Sequence, residues 1–260
     1  MNNLSITTIQ SDLHWEDKVK NLEMFAAKIA SVPATDLIIL PEMFTTGFSM
    51  RPELFAEKMD GATVSWMRYR AKEKNCVITG SFMCEEGGKY FNRLVWMRPD
   101  GTYETYDKRH LFRMGEEDKH YAAGQKRIIV DLKGWKICPL VCYDLRFPVW
   151  ARNTKSDTYD LLIYVANWPE RRTFPWRSLL TARAIENQSY VVGLNRVGND
   201  AAGVYHCGDS LILNFKGELI GKTITKDESI ETISLNYDEL AEFRKTFPVM
   251  LDADDFEIRP

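Results

Sequence analysis

The chain predicts an α/β fold in which helices cover a mixed sheet. Three observations lead there. Short runs such as Leu37–Leu40 and Leu161–Ala166 are apolar at every position, as strands buried on both faces are. Stretches with apolar residues at 3- and 4-residue spacing lie between such runs and read as helices. Hairpin signals such as Arg98-Pro99-Asp100-Gly101 add antiparallel pairs, because Pro presets φ and Gly accepts a positive one.

In order, Leu4–Ile9 begins with alternation and reads as a strand. A helix from about Trp15 to Ala30 follows, with Val19, Leu22, Phe25, Ala26 and Ile29 as its apolar stripe. Leu37–Leu40 is a short buried strand. A helix over Thr63–Lys74 turns Val64, Met67 and Ala71 inward. Cys76–Phe82, Tyr90–Met97 and Thr102–Tyr106 are strands, the last two joined by the hairpin turn. Leu111–Gly124 is polar and irregular, a loop long enough to be functional. Strands follow at Arg127–Asp131 and Lys136–Val141, with Pro139 read as a bulge or a strand start because proline removes a ladder donor. A short helix fits Val149–Thr154. Strand Leu161–Ala166, helix Pro175–Gln188 and strand Tyr190–Asn195 come next. Leu211–Asn214, Leu219–Gly221 and Ile230–Leu235 make the end β-rich before a helix at Tyr237–Thr246. No linker or repeat divides the chain, so one domain over 1–260 is expected, with an acidic tail from about 248 to 260.

Composition narrows the function. With a net charge of −3, nothing recommends nucleic acid or an anionic membrane as a partner. The start, Met1-Asn2-Asn3-Leu4-Ser5-Ile6, has neither a basic nor a long apolar segment and reads as the entry to a strand, not a signal peptide. No run reaches the roughly 20 apolar residues of a membrane span. A cytoplasmic protein is expected. The cysteines, Cys76, Cys84, Cys138, Cys142 and Cys207, are odd in number and suit free thiols in a reducing compartment. Cys138 and Cys142 stand about 13 Å apart along a strand, too far for one zinc ion. The histidines are scattered, and neither a metal nor another cofactor is expected.

Three strand ends carry candidate chemistry. Glu42 follows Leu37–Pro41, Lys108 follows Thr102–Asp107, and Cys142 closes Trp135–Val141. Each is weak alone. A cysteine at a strand end packs readily as a small hydrophobe. A glutamate there is either desolvated, and so suited to general-base work, or locked in an ion pair. A lysine is commonly a solvated end. Together they offer a nucleophile, a base and a cation. A cysteine–histidine pairing through His110 stays open on spacing, although no protease signature surrounds Cys142.

Pro41-Glu42-Met43-Phe44, Asp107-Lys108-Arg109-His110-Leu111-Phe112 and Val141-Cys142-Tyr143-Asp144-Leu145-Arg146-Phe147-Pro148, in this order, resemble the nitrilase (carbon–nitrogen hydrolase) superfamily. The resemblance runs from Leu4 to about Leu235. It implies a four-layer α-β-β-α sandwich, usually paired into an eight-layer homodimer, with no cofactor. It also implies roles: Glu42 as general base, Lys108 supporting the tetrahedral intermediate, and Cys142 forming a thioester. A second glutamate in the loop after the lysine fits Glu117 best, with Glu116 beside it. The backbone N–H of Tyr143 would join Lys108 in holding the oxyanion. Lys108–Met114, Tyr121-Ala122-Ala123-Gly124, Asn167-Trp168-Pro169 and Arg183–Gln188 point within the superfamily to ω-amidases, which act on 2-oxoglutaramate or 2-oxosuccinamate. A carbamoyl-amine hydrolase or general aliphatic amidase would use the same triad. A non-catalytic partner protein with this fold would be expected to lack one of the three.

A small amide substrate with a carboxylate calls for a pocket arginine. Arg183 shares a helix face with Trp176, Leu180 and Asn187, which suits either that role or a buried pair with Asp144 or Glu186. Phe44 and Trp168 follow strand ends near the three motifs and either line the pocket or pack the core.

Overall fold

Two sheets, not one, organise the chain. In the computed structural model, which describes residues 3–155 and 157–258, strands β1 (Leu4–Gln10), β2 (Leu37–Ile39) and β3 (Val77–Glu86) run parallel. Strands β4 (Lys89–Met97) and β5 (Tyr103–Asp107) return antiparallel beside them. The second sheet holds β6 (Val130–Leu132), β7 (Trp135–Val141), β8 (Leu161–Ala166) and β9 (Tyr190–Asn195), of which the last three are parallel. A ribbon of β10 (Val197–Asn199) and β11 (Tyr205–Cys207) stands apart. β12 (Leu211–Leu213) pairs with β9, and β13 (Ser229–Leu235) returns to the first sheet beside β1.

The helices cover the outer faces. Helix α1 (Lys18–Ser31) and, past the single turn α2 (Pro52–Phe55), helix α3 (Ala62–Lys74) place Phe25, Ile29, Val64, Met67 and Ala71 against Ile38, Ile78 and Val95. The alternate residues Leu37, Ile39, Val77 and Leu94 face the second sheet and join its core. This is why the Leu37–Ile39 run is apolar throughout: its residues alternate between a helix layer and a sheet layer. After the short turns α4 (Glu117–His120) and α5 (Pro148–Ala151), helix α6 (Thr173–Asn187) packs Trp176, Leu180 and Ala184 on the other face of the second sheet. Helix α7 (Tyr237–Thr246) adds Leu240 and Phe243. The layers are therefore α-β-β-α.

Local expectations hold with some corrections. Helix α1 begins three residues later than its apolar spacing suggests, because the Asp17 carboxylate caps it by accepting from the Lys20 N–H at 3.1 Å. Val19 is exposed, and Asn21 takes the inward place instead. Pro139 is neither a bulge nor a strand start. It sits within β7, aligned with Ile163 of β8. β6 ends its pairing at Ile137, so no partner on that side requires an N–H from Pro139. The 111–124 segment contains the 3₁₀ turn Arg113–Gly115 and α4. Leu219 makes an isolated bridge to Leu213, not a strand. The tail includes a 3₁₀ turn at Val249–Leu251, and Arg259 and Pro260, like Met1 and Asn2, lie outside the described residues. Among the described residues no helix is long and apolar enough to cross a membrane.

Candidate active site

Glu42 lies just past β2, where the backbone leaves the sheet under tight control. Leu40 N–H donates to the Thr79 carbonyl at 2.7 Å, and Phe44 N–H to the Ser81 carbonyl at 3.0 Å. Met43 between them takes a positive φ of 46°. The Glu42 carboxylate is fully buried and has donors on both oxygens. Oε1 accepts from Lys108 Nζ at 2.9 Å and Asn92 Nδ2 at 2.8 Å. Oε2 accepts from the Asn167 backbone N–H at 2.8 Å, and Asn167 Nδ2 donates to the Glu42 carbonyl at 2.7 Å. Asn167 follows β8, so Glu42 is held by both sheets.

Lys108 continues from β5, its N–H bonded to the Asn92 carbonyl at 3.0 Å and its carbonyl accepting from Gly124 N–H at 2.9 Å. A Cβ at Gly124 would stand 2.0 Å from the Asp107 carbonyl oxygen, so only glycine permits this approach. The Lys108 ammonium is fully buried between Glu42 and Glu117, whose Oε2 lies 2.9 Å away. Glu117 opens α4 and accepts from Phe112 N–H at 2.6 Å and Asn92 Nδ2 at 3.1 Å. Glu116 is exposed and pairs with Lys119, so of the two loop glutamates only Glu117 touches Lys108 among the described residues.

Cys142 opens a 3₁₀ turn over Cys142–Arg146 with φ of 44°, a left-handed backbone that a non-glycine residue holds at a cost of about 1–3 kcal/mol. Asp144 enforces it. Its buried carboxylate accepts from Val141 N–H at 3.0 Å, His110 N–H at 3.0 Å and Tyr106 Oη at 2.7 Å. Tyr106 belongs to β5, so Asp144 ties the cysteine turn to the strand that carries Lys108. His110 Nδ1 lies 2.8 Å from Asp144 Oδ1, and its ring stacks on Phe147 with centroids 3.7 Å apart. His110 thus braces the turn through Asp144.

The charges are strongly coupled. Burial works against the Lys108 ammonium, but Glu117 and then Glu42 outweigh it and hold the lysine above its ordinary range. Burial pushes Glu117 up, opposed by Lys108. Burial first and the Glu42 charge second push the Cys142 thiol well above its ordinary value, while Lys108 pulls it down. A neutral thiol therefore rests beside one cation and two carboxyl groups, a set with a built-in proton acceptor.

The carbon–nitrogen hydrolase family model matches residues 6–245. This chain belongs to the carbon–nitrogen hydrolase family. It is 45% identical to the omega-amidase YafV of Escherichia coli over 99% of this chain and all of that one. It is 30% identical to a 2-oxoglutaramate amidase of Bacillus subtilis, covering 95% of this chain and 96% of the relative. A CN-hydrolase superfamily protein from Xanthomonas campestris, whose crystal structure carries an arsenic adduct in the active site, superposes with a TM-score of 0.97 at 43% identity over the full length of both chains.

In this carbon–nitrogen hydrolase a cavity of about 670 Å³ opens over Cys142, Lys108 and Tyr143. Its wall is largely aromatic and apolar, including Trp15, Phe48, Phe112, Met114 and Trp168. Lys108 Nζ also lies 5.1 Å from the centroid of the Phe48 ring. Trp168, for which the sequence leaves pocket and core open, borders the cavity and also packs against Trp176 in the core. Phe44 does not: it is buried between Phe25 and Trp66 in the helix-facing core. Arg183 does not either. Its guanidinium donates to the Leu145 carbonyl at 2.6 Å and to Glu186 at 2.9 Å, so it supports the cysteine turn from behind. Sequence reasoning missed Asn92 and Asn167 as partners of Glu42. Asn167 also follows a buried strand, so the pattern that selects Glu42 and Cys142 would have found it. Asn92 lies inside β4 and gives no such signal. Arg146, Arg171 and Arg172 on the cavity wall were missed too.

Proposed function

We propose that the chain hydrolyses the terminal amide of short dicarboxylic acid monoamides such as 2-oxoglutaramate or 2-oxosuccinamate. The observation that carries this reading is the buried Glu42–Lys108–Glu117 cluster beside the Cys142 thiol at the floor of the cavity. The names of the similar proteins, omega-amidase and 2-oxoglutaramate amidase, support the choice of substrate.

Glu42 accepts the thiol proton as Cys142 Sγ attacks the amide carbon. The resulting oxyanion is met by Lys108 Nζ and the Tyr143 N–H. That amide is the second in a 3₁₀ turn, where no upstream carbonyl of the turn can take it. Glu42 then passes its proton to the nitrogen, the C–N bond breaks, and ammonia leaves a thioester. Water enters, Glu42 takes its proton, and attack on the thioester carbon gives the acid and returns the proton to the sulfur. Glu117 holds the lysine, and Asn92 and Asn167 orient Glu42. An oxyanion donor contributes roughly 3–4 kcal/mol to such a step. Trp168 borders the acyl group on the cavity wall.

The protein would work as one domain in the cytoplasm and as a homodimer. Exposed Val149 on α5 and Phe174 on α6 support a covering second copy, which light scattering would detect. The activity is tested by offering 2-oxoglutaramate, glutamine, a carbamoyl amine and a nitrile, and measuring ammonia. Turnover of 2-oxoglutaramate with an acyl mass adduct on Cys142 is expected. Turnover of only the nitrile or the carbamoyl amine refutes the substrate assignment, and undiminished release by Cys142→Ala refutes the mechanism.

A further inference from the structure

Resting on that reading of the substrate, we propose that Arg172, with Arg146 beside it, is the seat of the carboxylate at the far end of the substrate. Arg146 ends the 3₁₀ turn that Cys142 begins, and its guanidinium carbon lies 5.1 Å from the centroid of a Trp168 ring. Arg172 immediately precedes α6, and its guanidinium carbon lies 5.1 Å from the centroid of the Phe112 ring. Its Nη2 is 3.9 Å from Met114 Sδ. Both arginines line the cavity over Cys142, together with the rings they stack on.

What sets these two apart among the half-buried arginines of the described residues is that neither guanidinium has an oxygen partner. Elsewhere the partly or fully buried arginines have an oxygen partner: Arg93 pairs with Asp107, Arg183 with Glu186, Arg196 with Asp12 and Arg244 with Asp160, while Arg109 donates to the Gly124 carbonyl and Arg152 to the Glu186 carbonyl. Arg146 and Arg172 are half-buried, and neither pairs with a carboxylate among the described residues. A desolvated cation without an anion is unfavourable, and a ligand carboxylate removes that cost. A guanidinium lying over a ring makes no hydrogen bond to it, so its N–H groups can still meet a carboxylate with two parallel bonds. Arg171, exposed on the rim of the same cavity, adds to the attraction. One carboxylate, Asp200, also lines the cavity, but its Oδ1 accepts from Val204 N–H at 2.8 Å within its own loop.

The scale suits a short diacid. In an extended five-carbon monoamide the carboxylate carbon is roughly 5 Å from the amide carbon, at about 1.5 Å per bond. Along a 3₁₀ turn Arg146 stands roughly 8 Å beyond Cys142, at about 2 Å per residue. The site therefore selects amides with an anionic group a few carbons away, and a neutral amide of equal length leaves two guanidinium groups unmatched.

The test compares kcat/KM for 2-oxoglutaramate and for the neutral pentanamide in wild type, Arg172→Gln, Arg146→Gln and Arg172→Lys. The preference for the anionic amide should fall about 100-fold in Arg172→Gln, chiefly through KM, and recover partly in Arg172→Lys. Arg172 serves the fold through its backbone carbonyl, which accepts from Trp168 Nε1 at 2.7 Å and is present in every variant. A preference within about threefold of wild type, or equal losses on both amides, overturns the proposal. A second arm needs no turnover: calorimetric titration of Cys142→Ala with 2-oxoglutarate, with and without Arg172→Gln. Arg172-dependent binding supports the carboxylate seat even if wild type releases no ammonia, the result that would sink the amidase reading alone. Binding that ignores Arg172 overturns the seat.

Discussion

Replacing Glu117 by glutamine keeps the shape of the side chain and removes one charge from a fully buried cluster. Each carboxylate oxygen of Glu117 now serves two donors. Oε1 accepts from Asn92 Nδ2 and Lys108 Nζ, both at 3.1 Å. Oε2 accepts from Lys108 Nζ at 2.9 Å and Phe112 N–H at 2.6 Å. Glutamine has a single acceptor oxygen. Whichever way its amide turns, its NH₂ faces Lys108 together with either Phe112 or Asn92, so bonds are lost and a buried donor meets donors. That costs about 1–3 kcal/mol of stability. In a chain of this size each kcal/mol moves Tm by about 2–4 °C, so a fall of roughly 2–12 °C is expected.

The effect on turnover should be larger than the effect on stability. Without Glu117 the lysine keeps one carboxylate partner, Glu42, and their ion pair tightens. The same carboxylate must accept the thiol proton, and the ammonium it holds has lost its second tether. Mispositioning one oxyanion donor costs about 10²–10³ in kcat. The assay is ammonia release from 2-oxoglutaramate, with circular dichroism to show that the variant is folded. A folded Glu117→Gln protein with kcat within about threefold of wild type refutes the idea that the cluster acts as a unit. So does a loss confined to KM.

Glu42→Gln removes the negative charge that helps to hold the Cys142 thiol up, so the pH midpoint of its alkylation should move down while ammonia release drops by at least about 100-fold; an upward shift, or surviving turnover, contradicts the assignment. Arg183→Met breaks the bond to the Leu145 carbonyl and should lower Tm by about 4–8 °C from a loss of roughly 2 kcal/mol, without changing the ratio of anionic to neutral amide turnover; a changed ratio would return Arg183 to the pocket. Burial and then the Arg196 charge depress His206 from 6.5 to about 4, so the unfolded chain takes up a proton that the folded chain refuses, and stability is lost as pH falls through that window. The loss from pH 7 to pH 5 is about 2 kcal/mol, and urea midpoints of His206→Gln should be flatter over that range than those of wild type; equal slopes refute it. Gly124→Ala forces a Cβ against the Asp107 carbonyl next to Lys108 and should lower kcat and Tm together, whereas wild-type kcat would show that Lys108 does not depend on this approach.

The layered α/β architecture and most elements are legible in the chain because buried strands and amphipathic helices leave different periodicities. The division into two sheets is not legible. A run such as Leu161–Ala166 is equally apolar whether its second face meets a helix or another sheet. Polar residues that turn inward are hidden for a related reason. Asn21 occupies the buried side of α1 because its amide donates to the His14 and Thr45 carbonyls at 2.6 and 2.8 Å and accepts from His14 N–H at 2.9 Å. Nothing in the local pattern announces those partners, which come from other segments.

The same distinction runs through the site. Glu42, Lys108 and Cys142 stand out because each is a reactive side chain at the end of a strand, a property the chain displays locally. Arg183 shows where that reasoning stops. Its place on the apolar face of α6 correctly marks it as buried, but burial does not say whether a substrate or the Leu145 carbonyl lies opposite. Arg146 and Arg172 look ordinary in sequence, one inside a motif read for its cysteine and one in a short basic pair. Their meaning depends on carboxylates that are absent around them, and an absent partner is visible only once the two sheets are brought together. Residues that catalyse by their own chemistry can thus be read from one dimension, whereas residues that select a substrate by what they lack require three.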